Sequence, residues 1–288
     1  MASLTEAFLK DSLWKPGIFN GKVAFVTGGA GTICRVQTEA LVLLGANAVI
    51  LGRNAEKTEK AAREIELLRE GARVIGVGNT DVRDVQSIAK AVETTVKELG
   101  RIDFVIAGAA GNFLADFNHL SANAFKSVVS IDLLGSFNTV KACFGELKKS
   151  KGAILFVSAT LHYTGVPFQL HVSAAKAGVD ALSNALAVEL GPLGIRSNCI
   201  APGGIEGTEG MSRLMGDASE VGKKVPLARW GTTRDIAEAT VYLFSPAASY
   251  VTGTVQVVDG GFWHLGNMIG DLYPKIVIDQ NSIENAKL

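Results

Sequence analysis

Seven short runs of apolar and β-branched residues recur along the chain, at 22–27, 48–51, 73–77, 103–106, 153–157, 196–200 and 255–258. Amphipathic stretches separate them, such as 54–69 and 84–99, with apolar positions at three- and four-residue steps. Strand-then-helix alternation predicts a parallel sheet covered by helices on both faces, a doubly wound α/β fold of the Rossmann type. Strands buried on both faces read as continuous apolar runs, and VAFV and AILFV do. No Pro- or Ser-rich linker and no internal repeat divides the 288 residues, so one domain is expected. The predicted layout is an N-terminal arm over 1–19, a core domain over 20–265 with a mobile flap at 203–225, and a tail over 266–288.

Composition narrows the function classes. Lys and Arg number 28, as do Asp and Glu, and this zero balance lacks the basic footprint of a nucleic-acid binder. The three cysteines are scattered, without metal-ligand spacing, which suits a reducing compartment and no metal site. The most apolar run, 40–52, is too short to span a bilayer. The N-terminus carries acidic residues and no continuous apolar core, unlike a secretory signal. The expectation is a soluble intracellular protein.

The first run leads into Thr27-Gly28-Gly29-Ala30-Gly31-Thr32-Ile33-Cys34, with a helical pattern from near Arg35. A glycine turn between strand and helix lets backbone N–H groups and the helix dipole hold a pyrophosphate, although such turns also occur without a ligand. The second run ends at Gly52 and Arg53. An NAD enzyme places an acid there for the ribose 2′-hydroxyl; Gly52 offers none, and the Arg53 guanidinium suits the 2′-phosphate of NADPH.

The glycine turn resembles the TGxxxGIG motif of the short-chain dehydrogenase/reductase family, with Thr32 and Cys34 where that family has glycine. Further matches follow in order: Asp81-Val82 like the pair that holds adenine, Ala107-Gly108-Ala109-Ala110-Gly111 like the NNAG segment, Pro202-Gly203 with Ile205 after the sixth strand, and Asp259-Gly260-Gly261 closing the sheet. The resemblance covers about 20–265. It implies a dinucleotide held by Thr27, Gly28, Gly29, Gly31, Thr32, Ile33, Arg53, Asp81, Val82, Ala107, Gly108, Ala109, Lys176, Pro202, Gly203 and Ile205.

Carbonyl reduction in that family uses a Tyr-x-x-x-Lys pair and a serine. Here the tyrosine place is Val172, the lysine is Lys176, and Ala159 stands at the serine place with Ser158 beside it. Valine moves no proton, so the alcohol chemistry is disabled. Gln169 occupies the place of the enoyl-carrier-protein reductase tyrosine. Either the protein binds cofactor without catalysis, or its reaction needs no donor to an alkoxide. Asp132 stands where the family has asparagine; read alone it is equally an acid of a buried ion pair, but with Lys176 it supplies a carboxylate and an ammonium able to polarise a water.

This combination, together with Asn112-Phe113, 123–126, His171 and 207–210, resembles the peroxisomal 2,4-dienoyl-CoA reductases. The resemblance implies hydride delivery from NADPH to C5, then protonation at C2 by a water held by Asp132 and Lys176. It also implies Asn112, Phe113, Ser158 and His171 around the acyl group, and a homo-oligomer packed through the fourth and fifth helices. Tyr163 is a second-choice donor, since Leu161 takes the place of the tyrosine in mitochondrial-type enzymes. The terminal Ala286-Lys287-Leu288 resembles the SKL address read by the peroxisomal import receptor. Two alternatives stand beside this reading: another NADPH-linked enoyl-thioester reductase, and a catalytically silent NADP(H)-binding sensor.

Overall fold

The computed structural model describes residue 4 and residues 6–10, 12–208, 211 and 222–266. Strands β1 (Val23–Thr27), β2 (Asn47–Leu51), β3 (Val74–Val77), β4 (Phe104–Ala107), β5 (Ala153–Val157), β6 (Arg196–Pro202) and β7 (Val255–Val258) form one sheet. Their order is β3-β2-β1-β4-β5-β6-β7, and every neighbouring pair is parallel. All seven predicted runs become strands, and the fold class is the doubly wound α/β architecture read from the sequence.

The side-chain alternation of a strand explains why both faces need cover. Ala24, Val26, Ala48, Ile50, Phe104 and Ile106 face one hydrophobic cluster, shared with helices α2 (Thr32–Leu43) and α3 (Ala55–Glu66). Phe25, Val49, Leu51, Val105 and Ala107 face the other, with α4 (Val85–Leu99), α6 (Gly135–Ser150) and α8 (Leu170–Leu190). Two short helices, α1 (Glu6–Lys10) and α7 (Leu161–Thr164), together with α5 (Ala122–Val129) and α9 (Thr233–Phe244), complete the series among the described residues.

Helix starts are set by caps. Asn54 and Asp84, read from the sequence as first helical residues, are instead the N-caps of α3 and α4, accepting from the N–H of Lys57 and Gln86. The helix after the glycine turn begins at Thr32 rather than near Arg35, because Gly31, extended at φ −84°, already serves as its N-cap.

The arm lies on the body. Phe8 is buried, Trp14 Nε1 donates to Glu238, and the Leu4 N–H donates 2.7 Å to Glu39 Oε2. Among the described residues no helix is long and apolar enough to cross a membrane, and no cluster of His, Cys, Asp and Glu is suited to a metal ion. Most of the expected flap, and the tail from 267 with Ala286, Lys287 and Leu288, lie outside the described residues.

Candidate active site

The sheet order reverses between β1 and β4, and a cleft of about 730 Å³ opens there at the carboxyl ends of the strands. Its floor is the turn from β1 into α2. Gly28 adopts φ +69°, and a Cβ there would press on the Gly108 carbonyl, so only glycine serves. Gly31, Thr32 and Ile33 line the cleft at the amino end of α2, where backbone N–H groups and the helix dipole favour phosphate. Thr27 pins β1 to β4: its hydroxyl oxygen lies 3.2 Å from the Gly108 N–H and 3.4 Å from that of Ala109, accepting from both.

Cys34, the departure from the glycine motif, fits because Gly108 has no side chain. A Cβ at Gly108 would strike the Cys34 sulfur, so the thiol fills from α2 the space a residue on β4 would take. Burial pushes the Cys34 thiol up to about 12, and it remains protonated at neutral pH.

At the other end of the cleft, Gly52 lies against Thr58, and a Cβ there would collide with the Thr58 hydroxyl. The place of an NAD enzyme's acid is therefore closed to any side chain without a shift. Arg53 is exposed at the mouth, beside Asn54 and Lys57, neither of which sequence reasoning had assigned to the cofactor. A glycine-floored cleft with a helix N-terminus and a guanidinium at its rim fits a nicotinamide dinucleotide.

Several expected cofactor residues do not line this cleft. Gly29 lies under it, against Ile50. The Asp81 carboxylate is engaged by Arg83 at 2.6 and 2.9 Å, and those hydrogen bonds hold it down to about 2. Val82 is buried against the far core, where its carbonyl accepts 2.9 Å from Asn138. Gly203 donates to the Val258 carbonyl at 3.0 Å, Pro202 ends β6, and Ile205 is buried in a bridge with Gly231.

The second half of the site is a buried ion pair. Between α5 and α6 the helix widens into one π turn, Ser130–Leu134, which holds Asp132. Two glycines permit the packing: a Cβ at Gly135 would strike Val82, and one at Gly178 on α8 would strike Leu133. So packed, Asp132 Oδ2 stands 3.2 Å from Lys176 Nζ, and its Oδ1 accepts from the Gly111 N–H at 2.8 Å. Lys176 Nζ also donates 2.9 Å to the Val157 carbonyl. Asp132 is fully buried and Lys176 is 6% exposed, so each charge rests on the other. A π turn inside a helix is itself a recurrent feature of functional sites.

Loops from two elements cover this pair. Asn112 Nδ2 donates 3.0 Å to Gln169 Oε1, the Ala115 N–H donates 3.2 Å to the Phe168 carbonyl, and Phe113 stacks on His171 with ring centroids 4.4 Å apart. Phe168 takes a left-handed φ of +64°, a strained setting for a non-glycine residue. Phe113 and Leu114 remain exposed, an apolar lip beside the polar pair. Val172 is buried with Val128 and Ala175, and no hydroxyl stands at the usual tyrosine place.

Tyr163 and Ser158 also meet a cluster around Asp180 that sequence reasoning missed. Asp180, one helical turn beyond Lys176, accepts 2.7 Å from His162 Nε2 and 3.2 Å from the Tyr163 hydroxyl. Burial works to raise the Asp180 pKa, but His162, Ser158 and Tyr163 together outweigh it and hold the carboxyl below its ordinary value. Burial and the neighbouring carboxylate push the Tyr163 phenol upward, away from use as a proton donor near neutral pH.

Residues 28–263 match a family model described as enoyl-(acyl carrier protein) reductase. The chain is 65% identical over 280 residues, 96% of each protein, to the peroxisomal 2,4-dienoyl-CoA reductase [(3E)-enoyl-CoA-producing] of Saccharomyces cerevisiae. It belongs to the short-chain dehydrogenase/reductase family. The peroxisomal 2,4-dienoyl-CoA reductase of Rattus norvegicus is 43% identical over 90% of each chain. Among solved structures, 7α-hydroxysteroid dehydrogenase complexed with NADH and 7-oxo glycochenodeoxycholic acid superposes with a TM-score of 0.79 at 26% identity, over 85% of this chain and 96% of that one. Within this family the cleft is a nicotinamide cofactor site. Val172 is the point where this member parts from the carbonyl chemistry expected of a tyrosine there.

Proposed function

We propose that this chain is a peroxisomal reductase that converts 2,4-dienoyl-CoA to 3-enoyl-CoA with NADPH. The observation that carries the reading is the buried Asp132–Lys176 pair at 3.2 Å, beside a valine where a carbonyl reductase needs a tyrosine. The 65% identity to the yeast peroxisomal enzyme over 96% of both chains supports the same substrate.

The dinucleotide is held by the glycine turn, Thr32 and Ile33 at the start of α2, Ala107 to Ala109, and Lys176, with Arg53 at the 2′-phosphate. Gly52, closed to an acid by Thr58, supports NADPH over NADH. When bound, the reduced nicotinamide supplies a hydride, which the resemblance directs to C5 of the diene. The negative charge then spreads to C2 and the thioester oxygen, where hydrogen-bond donors stabilise it. Asp132 and Lys176 hold a water between a carboxylate and an ammonium; that water protonates C2, and the hydroxide left behind takes a proton from the Lys176 ammonium, which solvent restores. Because the proton goes to carbon, the enzyme works with Val172 at the tyrosine place. Phe113, Asn112, Ser158 and His171 surround the acyl chain, and the coenzyme portion remains outside the polar pocket.

The protein further acts as a homo-oligomer and enters the peroxisome through Ala286-Lys287-Leu288. Deleting those three residues leaves activity intact and sends the protein to the cytosol; unchanged import would exclude them as the address. For the cofactor, Arg53→Ala is expected to weaken NADPH about tenfold to a hundredfold, as for loss of a charge-assisted hydrogen bond, and to leave NADH binding unchanged. Equal losses for both nucleotides in a titration would remove Arg53 from the 2′-phosphate site.

A further inference from the structure

Among the described residues, nine buried side-chain polar atoms make no well-aligned hydrogen bond, and four of them belong to the residues of this site: Asn112 Oδ1, Asp132 Oδ2 and both ring nitrogens of His171. Leaving a buried polar atom unsatisfied costs about 1–3 kcal/mol, so such a concentration calls for a small polar occupant rather than chance. The imidazole is the most informative member. His171 is fully buried, opens α8 one residue before Val172, and feels the Asp132 charge. Its ring lies tilted against Phe113, and one nitrogen is turned to the Phe113 backbone, which fixes the ring's orientation and leaves the other nitrogen for a further partner. Burial holds its pKa below the ordinary imidazole value, outweighing the Phe113 backbone and the Asp132 charge, so near neutral pH the ring is neutral, with one nitrogen engaged by Phe113 and one open to a new partner.

We propose that His171 is a positioning residue for the protonation step: its imidazole hydrogen-bonds the water held by Asp132 and Lys176 and fixes that water toward C2. This rests on the dienoyl-CoA reading above and assigns the third support of its proton donor. A water between a carboxylate and an ammonium has two partners and can still swing; a third directional bond makes its aim definite. A histidine suits the place because the Phe113 backbone holds one nitrogen while the other bonds the water, with no second positive charge added beside Lys176. The Asn112–Gln169 and Phe113–His171 contacts then acquire a purpose, since they brace the loop that holds the ring.

The test uses full-length protein, 2,4-hexadienoyl-CoA and NADPH. The wild type must first turn over this substrate; if it does not, the underlying reading fails, whatever His171 does. Given turnover, two substitutions separate hydrogen bonding from packing. His171→Phe keeps a ring against Phe113 and removes both nitrogens; His171→Gln keeps a donor and an acceptor and removes the ring. The expected result for His171→Phe is kcat down about 10- to 100-fold, the scale of a misplaced reacting group. KM and NADPH affinity stay within about threefold, and the solvent deuterium isotope effect on kcat rises as protonation becomes limiting. His171→Gln should recover most of the rate. Wild-type kcat in His171→Phe would overturn the assignment. So would a loss confined to His171→Gln with raised KM, the pattern of a purely packing role.

Discussion

Two carboxylates stand near Lys176 in this site, and they are handled in opposite ways. Asp180 shares α8 with the lysine, and one of its oxygens receives two side-chain donors, His162 and Tyr163. Asp132 reaches the lysine from the π turn; one oxygen takes a backbone N–H, and the other faces the ammonium without an aligned hydrogen bond. The first is a bolt: it ties α7 to α8 and makes the local wall rigid. The second is poised, since a carboxylate oxygen beside an ammonium can take a small polar molecule. Neither burial nor an open oxygen marks the working carboxylate, since Asp180 Oδ1 also lacks an aligned hydrogen bond; what distinguishes Asp132 is the ammonium its open oxygen faces.

The comparison breaks most directly at Asp132. Asp132→Ala is expected to lower kcat by about 10² to 10⁴, the range for loss of a general acid–base group, with NADPH binding retained. A rate within a few-fold of wild type would put the chemistry elsewhere. Asp180→Asn is expected to act on structure instead, destabilising the protein by about 1–3 kcal/mol through the donors it leaves unpaired. KM for the dienoyl substrate should rise while kcat changes little, and a kcat loss equal to that of Asp132→Ala would erase the distinction.

Acid sharpens the same contrast. The folded-state pKa of Asp180 lies below its ordinary value, so its contribution to stability is complete above the ordinary carboxylate range and disappears as pH falls through the lowered value. Asp180→Asn should therefore narrow the stability gap with wild type as pH drops below about 4 in denaturant titrations; a gap independent of pH would show that ionised Asp180 does not support the loop. The smallest effect belongs to Tyr163→Phe, which removes one hydrogen bond, about 0.5–1.5 kcal/mol of stability, and leaves kcat within about threefold. Loss of turnover in that variant would make Tyr163 the proton donor.

Much of this was legible in the sequence where the signal is local. The strands show as apolar runs, because a two-sided parallel sheet buries every position of 23–26 or 153–156. The glycine turn and Gly52-Arg53 also lie within short segments, and the missing tyrosine at Val172 is a single position. What escaped depends on pairs distant in the chain. His162 and Asp180 lie 18 residues apart across a loop, and nothing in either segment announces the bond. The complement between Cys34 and Gly108 joins α2 to β4, so the cysteine looked like a blemish in a motif rather than half of a fitted pair. The π turn at 130–134 carries the same apolar spacing as a regular helix, and only the close approaches of Val82 and Leu133 reveal why it forms. Asp81 and Val82 were assigned by motif, and what the motif did not announce is the Arg83 partner of the Asp81 carboxylate and the core packing of the Val82 side chain.

The most direct test follows NADPH absorbance with purified protein and 2,4-hexadienoyl-CoA, beside 2-hexenoyl-CoA and a 3-ketoacyl-CoA. The account predicts oxidation with the dienoyl ester alone, formation of the 3-enoyl product, and loss of both in Asp132→Ala. Turnover of the ketoacyl ester, or NADPH binding without turnover of any of the three, would contradict it.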